Sequence, residues 1–98
     1  MEPLIAAIRN MITISDEELT HFLELCYARK FEAKEFLSKQ GEISNEIFFI
    51  TKGITRSTII DHKGEEHTIH FSPEYQFVAD YTSFMLKIPA TNNIQAIE

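Results

Sequence analysis

The chain has 98 residues, 44% of them hydrophobic and 24% charged, which suits one small soluble domain and excludes a disordered segment. Its net charge of -6 would repel a phosphate backbone, so this segment is not expected to bind DNA directly. A single cysteine excludes an intramolecular disulfide framework and a four-cysteine iron–sulfur cluster. No apolar run reaches the roughly 18 residues of a membrane span. We therefore expect a cytoplasmic protein without a cofactor.

Two short helices are predicted at the start of the chain. Pro3 stands near a helix start, and the apolar residues behind it have the spacing of one helix face. Ser15 and Glu18 have the spacing of a capping box, which predicts the first turn of a second helix. This second helix is expected to run to about Ala28. Four of its residues are predicted to face a core: Leu19, Phe22, Leu23 and Cys26. On that face, a thiol acts as a small hydrophobic group.

From Phe31 onward, the sequence changes to short β-rich runs separated by turns, which is typical of a sandwich or roll. The predicted strands are 31–37, 46–51, 54–61, 65–71, 75–78 and 92–97. Each of the three glycines lies between two runs, where a turn needs a residue that tolerates positive φ. The clearest turn is 61–64, which predicts an antiparallel hairpin. Phe48 and Phe49 are expected to pack in the core.

One further helical segment is predicted late in the chain. Residues 79–87 lack the alternation of a strand and suit one or two helical turns, with Asp80 near the start and Pro89 beyond the end. No linker or internal repeat interrupts the sequence. We therefore expect a single domain over 1–98, with a helical lead-in over 1–28 and a β region over 31–98.

The stretch from Lys39 to Gly53 resembles the early signature of the cyclic-nucleotide-binding roll of Crp/Fnr-type bacterial transcription regulators. That signature is a Gly-Glu turn, a few polar residues, an aromatic–aliphatic strand and a second turn glycine. Segments 54–60, 61–64, 67–71 and 72–77 resemble the strands that follow and the run into the family's phosphate cassette. The resemblance implies a mainly β fold with N-terminal helices, a double-stranded β-helix (jelly roll) that forms part of a cyclic-nucleotide-binding barrel.

The resemblance also implies a role. A Crp/Fnr-type regulator would sense a small-molecule effector and bind DNA through a dimerisation helix and helix-turn-helix domain, neither of which is present in this sequence. The alternative is a stand-alone module that regulates a partner protein without any DNA role. We expect a homodimer or other self-association, because apolar strand edges without a partner template pairing with another chain. No catalytic triad, paired carboxylates or phosphate-binding loop can be assembled, so an enzyme is not expected.

In ligand-binding members of the resembled family, the amides of the cassette helix face a cyclic phosphate. A Gly-Glu pair contacts the ribose and an Arg-Ser pair contacts the phosphate. Alignment on 94–96 places Ala79 and Asp80 at the first pair, and Ala90 and Thr91 at the second. The candidate ligand-binding positions are Ala79, Asp80, Tyr81, Thr82, Ala90 and Thr91.

The charge of this segment argues against an anionic ligand. Between residues 74 and 98 the only basic residue is Lys87, against three acidic residues, and the arginine position holds alanine. A phosphodiester would therefore lack its charged partner. We expect no tight binding of cyclic AMP or cyclic GMP. Asp80 has two interpretations: it caps the short helix, or it contacts a sugar or other polyol together with Thr91.

His67 and His70 are the histidines that a metal site on a β-roll would use. Residues three apart on a strand point to opposite faces, so one ion cannot easily take both imidazoles. No metal site is therefore predicted from this pair.

Overall fold

The computed structural model describes residues 2–97. The chain divides into two compact units, with the boundary between Lys30 and Phe31. The first unit is helical and the second contains all the strands. The expectation that the chain is one domain stays a prediction.

The helical unit contains α1 (Glu2–Met11) and α2 (Asp16–Glu24). Leu4 and Ile8 are the buried residues of α1, which confirms the apolar face predicted there. The guanidinium of Arg9 donates a 2.8 Å hydrogen bond to the Asp16 carboxylate, so an ion pair joins the two helices of this unit.

The predicted capping box at the start of α2 is confirmed. Ser15 Oγ accepts from the Glu18 backbone amide at 3.1 Å, and Glu18 Oε1 accepts from the Ser15 amide at 3.1 Å. The hydrogen bond from the Ser15 amide lowers the pKa of Glu18, because the donor stabilises the ionised carboxylate.

The prediction for the end of α2 is wrong. The helix ends at Glu24, because the amides of Leu25 and Cys26 bond three residues back, to Phe22 and Leu23, and this tightens the last turn. Beyond that turn the chain leaves the helical path, so Cys26 is exposed. Phe22 is 42% exposed, and Leu19 is the one buried residue of α2.

Within the described residues, the β unit contains six strands and one helix, and each predicted β-rich segment overlaps one of these strands. The elements are β1 (Phe36–Ser38), β2 (Phe48–Phe49), β3 (Thr55–Ile60), β4 (Glu66–Ser72), β5 (Phe77–Val78), α3 (Tyr81–Leu86) and β6 (Asn93–Ala96). The strands form an antiparallel four-stranded sheet in the order β1-β6-β3-β4 and a two-stranded sheet of β2 and β5. The helix α3 therefore lies in the connection between the two sheets, from β5 to β6.

A small apolar core draws on both sheets. Ile50, Val78 and Ile94 are buried together, and Leu37 and Phe48 pack against them. The Phe48 ring also meets Phe31 edge-on, with 5.7 Å between centroids. The prediction that this aromatic strand packs in the core is confirmed for Phe48, although its side chain stays partly exposed.

The predicted hairpin at 61–64 is confirmed, because β3 and β4 pair antiparallel on either side of it. The Gly64 amide donates to the Asp61 carbonyl at 3.0 Å, and Gly64 has φ 84°, which a side chain would strain. The Asp61 carboxylate accepts from the amides of Lys63 and Glu65 at 2.9 and 3.0 Å. The turn is therefore held by one side chain as well as by backbone bonds.

Candidate functional site

Asp80 is the centre of the candidate site. It is 6% exposed and caps α3, since its Oδ1 accepts from the Ser83 amide at 3.1 Å. Its Oδ2 accepts from the amides of Thr91 at 3.0 Å and Asn92 at 3.4 Å. One carboxylate thus joins the first turn of α3 to the chain that enters β6. The interpretation of Asp80 as a helix cap is confirmed, and the contacts to Thr91 and Asn92 go beyond it.

Ser83 forms a second buried link, at the other side of α3. The residue is 0% exposed. Its hydroxyl donates to the Ile88 carbonyl at 2.6 Å and accepts from the Ser44 amide at 2.8 Å. Ser44 lies in the loop before β2. The Ser83 hydroxyl therefore connects the end of the α3 segment to a loop that is far away in sequence.

The Gly41-Glu42 turn is attached to the same region by the backbone. The Gly41 amide donates to the Ala90 carbonyl, and the Ala90 amide donates to the Glu42 carbonyl, each at 2.8 Å. Asn93 adds a side-chain link, because its Oδ1 accepts from the Gln40 amide at 2.8 Å. Segment 40–44 and segment 80–93 therefore form one hydrogen-bonded assembly, which we call the cassette.

The six candidate positions have different environments. Asp80 and Thr91 are brought together by the carboxylate–amide bond, although Thr91 itself is exposed. Ala90, at the position of the resembled family's arginine, is 4% exposed. Ala79 is half-buried, whereas Tyr81 and Thr82 are exposed on the first turn of α3.

Lys87 is the basic residue closest in sequence to the candidate positions, and it is directed to an aromatic ring. It ends α3 in a left-handed conformation with φ 57°. Its Nζ lies 4.9 Å from the centroid of the Phe84 ring, which is a cation–π distance. The partners of the Asp80 carboxylate are backbone amides, so the interior of the cassette carries a negative charge that is balanced by oriented N–H dipoles.

Sequence reasoning missed Ser44, Ser83 and Asn93 as members of the cassette. All three are buried and polar. In the sequence they look like ordinary turn and helix residues of an exposed segment. The weak signal in the sequence was Ser83, a small polar residue directly before the apolar run 84–86, and its partners could not be predicted from it.

The edge strand β4 contains His67 and His70. His67 Nε2 lies 2.9 Å from Asp61 Oδ2, and His70 is exposed. A register shift opposite Ser57 and Thr58 interrupts the alternation that would place the two imidazoles on opposite faces. Among the strands of residues 2–97, β4 pairs with β3 alone, and its exposed residues include Ile69 and Phe71. Self-association stays a prediction. None of the helices within residues 2–97 is long and apolar enough to cross a membrane.

Two antiparallel sheets with a capped helix between them define a β-roll of the jelly-roll type. The model of the family described as "Cyclic nucleotide-binding domain" matches residues 28–98, so the chain belongs to that family. The predicted likeness to Crp/Fnr-type regulators is confirmed by relatives named "cAMP-activated global transcriptional regulator CRP". The one from Salmonella typhimurium is 29% identical over 70 residues, which cover 71% of this chain and 33% of the relative. The chain thus spans about a third of the length of the curated relatives it matches.

Solved structures confirm the predicted fold. The Catabolite Activator Protein of Thermus thermophilus superposes with a TM-score of 0.75 at 16% identity, over 87% of this chain and 39% of that one. The regulatory domain of Toxoplasma gondii PKA, crystallised with cAMP, gives a TM-score of 0.84 at 14% identity, over 99% of this chain and 38% of that one. Over residues 2–97, the four-stranded and two-stranded sheets form an open roll without barrel closure.

Proposed function

We propose that this chain is the effector-sensing domain of a Crp/Fnr-type transcription regulator and that it does not bind cyclic AMP tightly. The family membership and the CRP relatives support the regulatory role. The net charge of -6 suits a domain that senses an effector while another part of the protein contacts DNA. We further propose a cytoplasmic, non-enzymatic role, and the names of the relatives as transcriptional regulators support it.

The observation that carries the ligand proposal is the bonding of Asp80. In the resembled family the pair aligned with Ala90 and Thr91 contacts the phosphate, yet here the amides of Thr91 and Asn92, which lead into β6, donate to the chain's own carboxylate. Asp80 thus acts as an internal anion in place of a bound one. A second anion would meet a like charge at hydrogen-bonding distance, which disfavours it.

The lack of an arginine at position 90 also weakens the expected affinity for a cyclic phosphate. Loss of a charge-assisted contact costs about 1.5 to 3 kcal/mol, which weakens affinity about tenfold to a hundredfold. Ala90 at that position is buried and bonded to the Gly41-Glu42 turn. Because Ala90 is 4% exposed, a long cationic side chain at this position would have to displace the groups packed around it.

The interpretation of Asp80 and Thr91 as a polyol contact is weakened by the same geometry. Both carboxylate oxygens accept from amides, so a sugar hydroxyl would have to compete with three bonds that are already formed. We therefore assign Asp80 to holding the cassette. We expect the effector of this domain to be a molecule that does not bind through an ionised phosphate group.

The cassette provides a route by which an effector could act. Segment 40–44 is tied to α3 and β6 through Ser83, Ala90 and Asn93, so a change in α3 must move or break these bonds. A ligand that binds one arrangement better shifts the population towards it. In the proposed regulator that shift would be passed to a DNA-binding unit.

The reading frame beyond Glu98 tests the regulatory role against the alternative of a stand-alone module. We expect it to encode a long helix followed by a basic helix-turn-helix sequence, and the complete product should retard DNA in a gel-shift assay. The 98-residue chain is the matched control and should give no shift, because of its net charge of -6. A stop codon directly after Glu98 would contradict the regulator and support the stand-alone module.

A further inference from the structure

Three metal-ligating side chains converge at the hairpin between β3 and β4, away from the cassette. They are Asp61, Glu65 and His67, and one donor atom of each lies within 4.8 Å of the other two. The side chains of Asp61 and His67 are 28% and 55% exposed. A cation in solution can therefore reach these donors without opening the fold.

The turn fixes the direction of the Asp61 carboxylate. Oδ1 accepts from the Lys63 and Glu65 amides, which leaves Oδ2 at 2.9 Å from His67 Nε2. Because an ionised carboxylate can only accept, Nε2 carries the proton in this contact. The hydrogen bond from His67 lowers the pKa of Asp61, so the carboxylate stays ionised at neutral pH.

The donor set suits zinc chemistry. One imidazole nitrogen and two carboxylate oxygens are ligands that Zn²⁺ accepts, at about 2.0 to 2.2 Å, with a fourth position left to water. Calcium and magnesium prefer shells made of oxygen alone. Donors around a tetrahedral zinc ion lie about 3.3 Å apart. Side-chain rotations that move the donor atoms by an ångström or two would therefore bring all three within bonding distance of one ion.

We propose that Asp61, Glu65 and His67 form a solvent-open binding site for a divalent transition-metal cation of the zinc type. The ion replaces the Asp61–His67 hydrogen bond with one bond to each side chain. His67 then coordinates through Nε2, which releases its proton to water, and the bound imidazole carries its ring proton on Nδ1. From the sequence, no metal site is predicted at the pair of His67 and His70, whereas the structure places His67 beside Asp61 and Glu65 of the turn.

The neighbouring Glu66 offers a matched control. Its carboxylate accepts from the Arg56 guanidinium at 3.3 Å, so it is engaged away from the three donors. His70 is a second control, because it lies on the same strand and outside the donor group. These residues and the proposed ligands Glu65 and His67 are exposed, so their substitution leaves the core intact.

Calorimetric titration of the 98-residue chain with ZnCl₂ tests the site. We expect one ion per chain, and the variants His67→Ala and Glu65→Gln should weaken binding by more than about tenfold, as loss of a ligand or its support does in metal sites. His70→Ala and Glu66→Gln should bind as the parent chain does. MgCl₂ should give no saturable heat, because magnesium dehydrates reluctantly and favours oxygen ligands.

Nuclear magnetic resonance of the imidazole nitrogens gives a second readout. Zinc should move the Nε2 signal of His67 and leave that of His70 in place, and the melting temperature should rise with zinc concentration, since the ion binds the folded hairpin. The proposal would be overturned by an unchanged zinc affinity in His67→Ala, by loss of binding in His70→Ala, or by the absence of saturable binding to the parent chain.

Discussion

Asp80→Ala is expected to destabilise the β unit by about 3 kcal/mol, because each buried polar group left without a partner costs about 1 to 3 kcal/mol. The substitution removes the acceptor of three amides, those of Ser83, Thr91 and Asn92. Asp80 is 6% exposed, so water cannot easily take the place of the carboxylate. Urea unfolding, followed through the amide signals of β6, measures the effect without a contribution from the helical unit.

Thr82→Ala is the matched control for this experiment. Thr82 lies on the same turn of α3 and is exposed, so its loss should change the free energy of unfolding by less than about 0.5 kcal/mol. Asp80→Asn separates charge from shape, because it keeps one acceptor oxygen and turns an NH₂ group towards amide donors. An Asp80→Ala variant as stable as Thr82→Ala would show that the carboxylate does not hold the cassette.

Ser83→Ala is expected to cost about 2 kcal/mol, since the buried Ser44 amide and the Ile88 carbonyl both lose their hydroxyl partner. The 0% exposure of Ser83 again excludes a replacement by bulk water. The same urea measurement gives the value, and hydrogen exchange at the Ser44 amide should become faster. Retained protection of that amide would contradict the assigned bond.

A double-mutant cycle tests whether Asp80 and Ser83 are energetically coupled. The Ser83 amide donates to Asp80, while the Ser83 hydroxyl reaches Ser44. Residues that share one network give non-additive effects, so the double variant should lose less stability than the sum of the two single losses. Strict additivity would indicate two independent contacts.

The β unit was largely predictable because local signals agree with the tertiary fold. The 61–64 turn combines an aspartate that can accept from turn amides with a glycine at positive φ, and both features are found. The end of α2 was not predictable from periodicity. Cys26 continues the apolar spacing, yet the amides of Leu25 and Cys26 bond three residues back and the helix stops.

The position of the cassette in the chain could be predicted from the sequence, but its hydrogen bonds could not. Resemblance placed Asp80 and Thr91 at ligand positions, and helix chemistry made Asp80 a cap. That the same carboxylate also accepts from Thr91 and Asn92 depends on how β6 is brought back to α3. Likewise, Ser83 meets Ser44 across 39 residues of sequence, a contact that no local pattern encodes.

Cyclic AMP is expected not to bind tightly, because the chain's own carboxylate accepts from the amides of Thr91 and Asn92, beside the position that contacts the phosphate in the resembled family, and that position holds Ala90 where the family has arginine. Calorimetric titration of the 98-residue chain with cyclic AMP tests it directly. We expect no saturable heat up to about 1 mM ligand, which corresponds to a binding free energy weaker than about -4 kcal/mol. One-site binding with a sub-micromolar dissociation constant would contradict the account.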